Sequence, residues 1–108
     1  MKPIDITAIA DVLEQEKGNT INSISFSYNN LIGDEGVREI INSLPLSICE
    51  IGLVDCGISD KGGTDILNWI NKLPNLKMIC IEQNNFSEEL KKAYTVFKNN
   101  NPKVIVVI

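Results

Sequence analysis

Histidine is absent from the 108-residue sequence, and its absence limits the chemistry available to the chain. Histidine is the usual general base of enzymes and the commonest metal ligand in proteins. Arginine occurs once, at Arg38, and no stripe of basic residues with interleaved aromatics is present. Since 14 acidic residues face 10 basic ones, giving a net charge of −4, the chain repels phosphate backbones and we expect no nucleic-acid partner.

Cysteine and long apolar runs are also scarce. The three cysteines, Cys49, Cys56 and Cys80, form an odd set without metal-like spacing, which predicts free thiols in a reducing compartment. No apolar run approaches the ~20 residues that span a bilayer, and the acids near the start exclude the apolar centre of a signal peptide. No glycine-rich nucleotide motif follows a strand. We therefore expect a cytoplasmic chain with no membrane attachment, metal or cofactor.

Three segments of the sequence share one pattern of apolar residues. They begin at Ile21, Ile48 and Leu76, so the starts lie 27 and 28 residues apart. Each segment is apolar at its first, fourth, sixth and eleventh positions and has Asn or Cys at its ninth. This agreement at a nearly constant period indicates a repeat architecture. The segments read INSISFSYNNL, ICEIGLVDCGI and LKMICIEQNNF.

The apolar period changes inside each repeat. The fourth and sixth positions alternate as in a strand, which predicts strands at about 21–27, 48–54, 76–82 and 103–108. The stretches that follow have helical spacing. Pro45 and Pro74 are predicted to stop the first two helices, and Gly36 and Gly62 to lie in the turns that open them. The predicted inward ladder of the first three strands is Ile24, Phe26, Ile51, Leu53, Ile79 and Ile81.

The repeat resembles the leucine-rich repeat, and its period is similar to that of the ribonuclease-inhibitor-like class, where a full helix follows each strand. The stretch NLIGDEGVREIINSLP, residues 30–45, is similar to the turn-and-helix consensus of that class. The resemblance implies an α/β fold, a short leucine-rich-repeat solenoid with a parallel sheet on its concave side and helices on its convex side. It also implies that the ninth residue turns inward and bonds loop backbone. In the first repeat, either Asn29 or Asn30 fits that position; the alternation of Ile24 and Phe26 favours Asn29, with a bulge near Asn30.

The two ends of the chain are predicted to close the stack. We expect one domain over residues 1–108, with a helical cap at 1–19, three repeats at 20–100 and a final strand at 101–108. Residues 5–17 have the apolar stripe of an amphipathic helix. The ending NPKVIVVI echoes NLKMICI, which predicts that Ile105 and Val107 face inward and that Val104, Val106 and Ile108 face outward.

Binding is the function that the resemblance implies, because partners of this family commonly dock on the concave face. We expect a non-catalytic interaction module or adaptor that binds a protein of unknown identity, although a face of small residues also suits a sheet without a partner. Neither Cys49 nor Cys80 has an activating neighbour in sequence, so we expect no enzyme. The predicted partner-binding residues are Glu50, Val54, Asp55, Met78, Glu82 and Gln83.

The alternative function is self-association into a homodimer through the final strand. An apolar, uncharged edge strand is a feature that proteins normally avoid. The predicted contact residues are Val104, Val106 and Ile108. There are two other interpretations of this apolar ending: the last helix covers it, or a larger assembly does.

Overall fold

Four short strands alternate with three helices over residues 22–108, the part of the chain that the structure, a computed structural model, describes. The strands form one parallel sheet in the order β1-β2-β3-β4, as predicted for the α/β solenoid. The predicted helical cap and the amphipathic stretch 5–17 lie outside the described residues. In chain order the elements are β1 (Ser23–Ser25), α1 (Gly33–Ser43), β2 (Glu50–Gly52), α2 (Asp60–Ile70), β3 (Met78–Cys80), α3 (Glu88–Asn100) and β4 (Ile105–Val107).

The strand register confirms the predicted ladder in the first three strands. Ile24 lies opposite Ile51, and Ile51 lies opposite Ile79. Ile51 and Ile79 are buried, whereas Ile24 is partly buried and packs against the same core. Phe26, Leu53 and Ile81 form a second buried rung. The core therefore lies between the sheet and the three helices.

The predicted orientation of the last strand is wrong. Val106, not Ile105, lies opposite Ile79 and is buried in the core, while Ile105 is 57% exposed. Aligning NPKVIVVI with NLKMICI predicts that paired residues are 26 positions apart, whereas the residues paired between β3 and β4 are 27 positions apart. Because side chains alternate along a strand, this slip of one residue moves every side chain of β4 to the other face.

The first two helices begin earlier than predicted, and their glycines lie within the first turn. Gly36 and Gly62 are buried parts of α1 and α2 and not turn residues. A Cβ atom at Gly62 would lie 2.5 Å from the Asp34 carboxylate and 2.7 Å from the Ile58 side chain. Glycine at this position therefore allows close approach of the two repeats. Pro45 and Pro74 follow the helix ends, as predicted.

The helices bury the stripes that their spacing predicts. The stripe of α3 includes Tyr94, whose ring stacks on Phe86 at a centroid distance of 6.0 Å. The Tyr94 hydroxyl donates a hydrogen bond of 2.6 Å to the Gly63 carbonyl and so joins α3 to α2. Burial raises the pKa of Tyr94, which keeps this donor protonated. Among residues 22–108, no helix has both the length and the apolar character needed to cross a bilayer.

Candidate functional site

The concave face is shaped by a sharp turn that ends each of the first three strands. Tyr28, Asp55 and Gln83 occupy the eighth position of their repeats, and they have φ angles of 66°, 51° and 63°. Left-handed backbone of this kind is uncommon outside glycine. Its recurrence at one repeat position turns the chain out of the sheet three times in the same way.

The turn directs the ninth residue inward, where its side chain bonds backbone. The amide of Asn84 donates to the carbonyls of Leu53 at 2.8 Å and Ile81 at 2.9 Å. Its Oδ1 accepts from the backbone N–H groups of Cys56 and Ile58 at 3.0 and 3.1 Å. The inward role of this position is thereby confirmed.

The same position is filled by Asn29 in the first repeat and by Cys56 in the second. Asn29 donates to the Phe26 carbonyl at 2.7 Å, so the strand frame with Asn29 at the ninth position is correct. The fully buried Cys56 thiol lies 3.2 Å from the same carbonyl, as a donor. Burial raises the pKa of Cys56, and its thiol takes the inward position that asparagine takes in the first and third repeats.

The outward residues of β1, β2 and β3 surround a groove of 490 Å³, here called the concave groove. It brings together five of the six predicted partner-binding residues; the sixth, Asp55, is not among its lining residues. Val54 is only 8% exposed and forms part of the wall, so it offers little contact area. The lining residues are Ser23, Ile24, Ser25, Ser27, Tyr28, Glu50, Ile51, Gly52, Val54, Met78, Cys80, Glu82 and Gln83.

Two serines cover the floor of the concave groove at Gly52. A Cβ atom on Gly52 would lie 2.8 Å from Ser25 Oγ and 2.9 Å from Ser27 Oγ. The Ser27 hydroxyl accepts a bond of 3.0 Å from the Val54 N–H, and the Ser25 hydroxyl accepts one of 3.3 Å from the Ser27 N–H. Their absence from the predicted site follows from their size, because small residues also occur on sheets that bind nothing. Pairing them with a glycine on the next strand is the signal that could have found them.

Among the described residues, two glutamates supply the charge of the concave groove. Ser23 Oγ donates to Glu50 Oε2 at 3.4 Å, which anchors this carboxylate at the edge of the groove. Burial together with the charges of Glu82 and Glu50 raises the pKa of the Cys80 thiol. Both carboxylates therefore disfavour the thiolate form of Cys80, and its thiol is less acidic than that of a free cysteine. Cys49 is half-buried, with its thiol 3.5 Å from the Ser47 carbonyl, and does not line the groove.

The predicted self-association residues do not share one surface. Val106 belongs to the core, and Val104 packs partly against it. Ile108 is 39% exposed, and the exposed apolar residue of β4 is Ile105. The predicted set is therefore wrong in its orientation, for the reason given for β4.

Polar contacts on the helical side join neighbouring repeats. Asp34 of α1 accepts from the backbone N–H groups of Ser59 at 2.8 Å and Gly62 at 3.1 Å, and from the Ser59 hydroxyl. Asp60 of α2 accepts from the Ser87 N–H at 2.8 Å. Burial opposes ionisation of Asp34, but these hydrogen bonds and the charge of Lys61 outweigh it, so its pKa is lowered. The side-chain and backbone hydrogen bonds from Ser87 lower the pKa of Asp60.

The single arginine is held in an ion pair on the helical side. Arg38 lies within α1, and its guanidinium is 3.2 Å from the Asp65 carboxylate of α2. Within the described part of the chain, no group of three or more Cys, Asp or Glu side chains is placed to hold a metal ion.

Comparison with known proteins identifies the fold. No protein-family model and no curated protein matches the sequence. Among solved structures, the chain is similar to the tropomodulin C-terminal domain of Caenorhabditis elegans, with a TM-score of 0.76 at 17% identity. The similarity covers 96% of this chain and 63% of that one, so this chain spans less than two thirds of the neighbour's length. The likeness is one of fold, a leucine-rich-repeat type with a parallel sheet.

Proposed function

We propose that this chain is a non-catalytic protein-binding module that engages its partner through the concave groove. The observation that carries the proposal is the convergence of Glu50, Met78, Glu82 and Gln83 on one groove. Methionine is an adaptable contact residue, and Met78 lies here opposite Glu50 and four residues before Glu82, two carboxylates that orient a partner. Asp55, just outside the groove, extends the contact surface at its rim.

The repeat geometry supports placing the chain in the ribonuclease-inhibitor-like class. Paired strand residues are 27, 28 and 27 positions apart, and a helix of 11 or 13 residues follows each of the first three strands. We propose one leucine-rich-repeat domain over 1–108, with three repeats at 20–100 and a strand at 101–108, and the geometry of residues 22–108 supports this for the part that the structure describes. The similarity of fold to the tropomodulin C-terminal domain is compatible with this class.

Binding is preferred to catalysis because of the thiol in the groove. Cys80 is the groove's only cysteine, and its raised pKa opposes the thiolate that a nucleophile requires. All three cysteines are unpaired, which supports a reducing compartment such as the cytoplasm. The acidic balance of the chain disfavours nucleic acid as the partner.

Photo-cross-linking tests the proposed face directly. A photoreactive residue replaces Tyr28, an aromatic residue that lines the concave groove and is 63% exposed, or Val96, which is 58% exposed on α3. In cells of the native host, we expect a specific cross-linked protein from position 28 and none from position 96. Adding Met78→Lys should remove the product at position 28, because it places a cation and a longer side chain in the contact surface.

The matched control is Thr64→Lys, an exposed position of α2 on the helical side. Circular dichroism of both lysine variants should equal that of the unmodified chain. A product formed only at position 96, or one that survives Met78→Lys, would move the binding surface to the helices.

A second candidate function, pairing of two copies along β4, is favoured by the backbone at that edge. Ile105 donates its N–H to the Lys77 carbonyl, and Val107 accepts from the Ile81 N–H. In a parallel ladder alternate residues bond the same neighbour, so the N–H and C=O of Val106 point away from β3. An antiparallel two-fold contact would pair Val106 with Val106 of a second copy and cover Ile105 on the concave side.

Sedimentation of the purified chain at about 100 μM, where a contact of micromolar affinity is populated, tests this second function. We expect a dimer that Ile105→Lys dissociates, whereas the equally exposed Leu46→Lys leaves it intact. Val106→Lys is unsuitable as a probe because its side chain is part of the core. A monomer at this concentration would exclude the edge contact.

A further inference from the structure

We propose that the occupant of the concave groove is an extended basic segment of the partner, with two Lys or Arg side chains four positions apart. This inference rests on the proposed function and specifies the chemistry of the ligand. It follows from the charge, the spacing and the hydrogen-bonding groups of the groove.

The described residues give the concave groove only negative charge. Within residues 22–108, its charged lining residues are Glu50 and Glu82, and no Lys or Arg of this range lines it. Within residues 22–108, the ion pairs are Arg38–Asp65 and Lys91–Glu88, and neither involves the groove. Both groove carboxylates are half-buried, so a cation that meets them is screened less by salt than one on an open surface. The complementary ligand therefore carries positive charge.

The spacing of the two glutamates sets the spacing of the cations. Glu50 lies opposite Met78, and Glu82 is four residues beyond Met78 on the neighbouring strand. At ~3.3 Å per strand residue, the two carboxylates are separated by ~13 Å along the strands. An extended segment advances by the same distance per residue, so side chains at positions i and i+4 match this separation.

The serines of the groove favour an extended segment over a helix. Ser25 and Ser27 accept hydrogen bonds from backbone N–H groups, which leaves their hydroxyl protons available to an acceptor. An extended segment has backbone carbonyls without internal partners, whereas those of a helix bond within the helix. Between the two cations, the segment would meet the Ser25 hydroxyl on one side and Cys80 on the other. The Ser27 hydroxyl lies level with Glu82, and Met78 lies level with Glu50.

Selection from a library of random linear peptides of about 12 residues, long enough to carry the spacing, tests the inference without assuming a partner. The purified chain is the target, and a Ser25→Arg variant with an obstructed groove is the counter-target. We expect the enriched peptides to share two basic residues at i and i+4. Binding of a synthesised winner is then measured by fluorescence anisotropy at low and high salt.

The expected charge dependence is specific to the two groove carboxylates. Glu50→Gln and Glu82→Gln should each weaken binding about threefold to tenfold, as should replacing either peptide cation with norleucine. Glu88→Gln and Glu89→Gln on α3 are the matched controls and should leave affinity unchanged.

The peptide selection gives one result if this inference fails and a different result if the proposed function fails. Two results would overturn the inference and leave the groove as the binding face. In one, the peptides require an open groove but lack the basic pair; in the other, they bind Glu50→Gln and Glu82→Gln as tightly as the unmodified chain. Peptides that bind Ser25→Arg as tightly as the unmodified chain, or a selection without enrichment, would overturn both.

Discussion

Asn84 shows how a single side chain joins two repeats. Its amide satisfies carbonyls of two repeats, and its carbonyl oxygen satisfies two N–H groups of the preceding loop. A backbone donor left unpaired away from water costs much more than a bond contributes when it forms. The position therefore demands a short side chain with both a donor and an acceptor, a requirement that asparagine meets fully and that the Cys56 thiol meets in part.

Asn84→Ala is expected to lower the free energy of unfolding by more than about 2 kcal/mol, since each donor left unpaired costs about 1–3 kcal/mol. Urea denaturation measures the loss. Asn85→Ala is the matched control, because the exposed Asn85 contributes its backbone N–H to Ile58 and keeps that bond. Equal stability of the two variants would contradict the role assigned to the ninth position.

Cys80 is expected to react more slowly with iodoacetamide than free cysteine does at neutral pH. Burial and the charges of Glu82 and Glu50 raise its pKa, so less of the thiol is ionised. Mass spectrometry of the alkylated chain gives the rate at each cysteine. Glu82→Gln should accelerate the reaction at Cys80, and a rate above that of free cysteine would show an activation that the geometry does not supply.

At the scale of elements, the strands depend on rungs that cross the whole sheet. Ile51 lies between Ile24 and Ile79 and is 2% exposed. Ile51→Ala is expected to cost about 2–5 kcal/mol in chemical denaturation because it opens a cavity between repeats. Leu46→Ala, at a 58% exposed position, should change stability by no more than ~0.5 kcal/mol. A comparable loss at both positions would show that the rung is not the stabilising contact.

The elements also show how far a periodic pattern can be followed. In the first three strands, the fourth and sixth positions predict the buried ladder because polar residues separate them. The ending VIVVI is apolar at every position, so alternation alone does not show which residues face the core and which face outward. Only the length of the preceding loop determines this. That length depends on where α3 ends, at Asn100, which the apolar stripe does not define to one residue. Sequence thus predicts the presence of β4 and fails on its orientation.

The candidate site, like the strands, could be predicted from the sequence only in part. Alternation placed Glu50, Met78 and Glu82 on the outer face, and the parallel order of strands made them neighbours. The burial of Val54 and the serine cover over Gly52 depend on side-chain packing between strands. The left-handed turns at Tyr28, Asp55 and Gln83 were hidden because none of the three is a glycine.

For the whole molecule, acid is expected to loosen the stack of repeats. Asp34 and Asp60 have pKa values below the ordinary 3.8 in the folded chain, whereas the unfolded chain takes up protons at the ordinary value. Their contribution is complete above about pH 4 and is lost as the pH falls through the lower folded-state values. The melting temperature should therefore fall with pH in this range. Asp34→Asn should reduce the slope of melting temperature against pH, and Glu35→Gln, at the adjacent exposed position, should reduce it less. Equal slopes in the two variants would contradict a contribution of the Asp34 carboxylate to this pH dependence.

The bonds between repeats run in both directions, and this has a consequence for synthesis on the ribosome. The N–H groups of Cys56 and Ile58 find their acceptor in Asn84, which is translated 28 residues after Cys56. The amides that open α2 find theirs in Asp34, which has already emerged. The second repeat can thus start its helix at once but cannot close its loop until Asn84 of the third repeat has been made. At ~5–20 residues per second, it waits roughly one to six seconds for this closure, so we expect its folding to trail translation by one repeat.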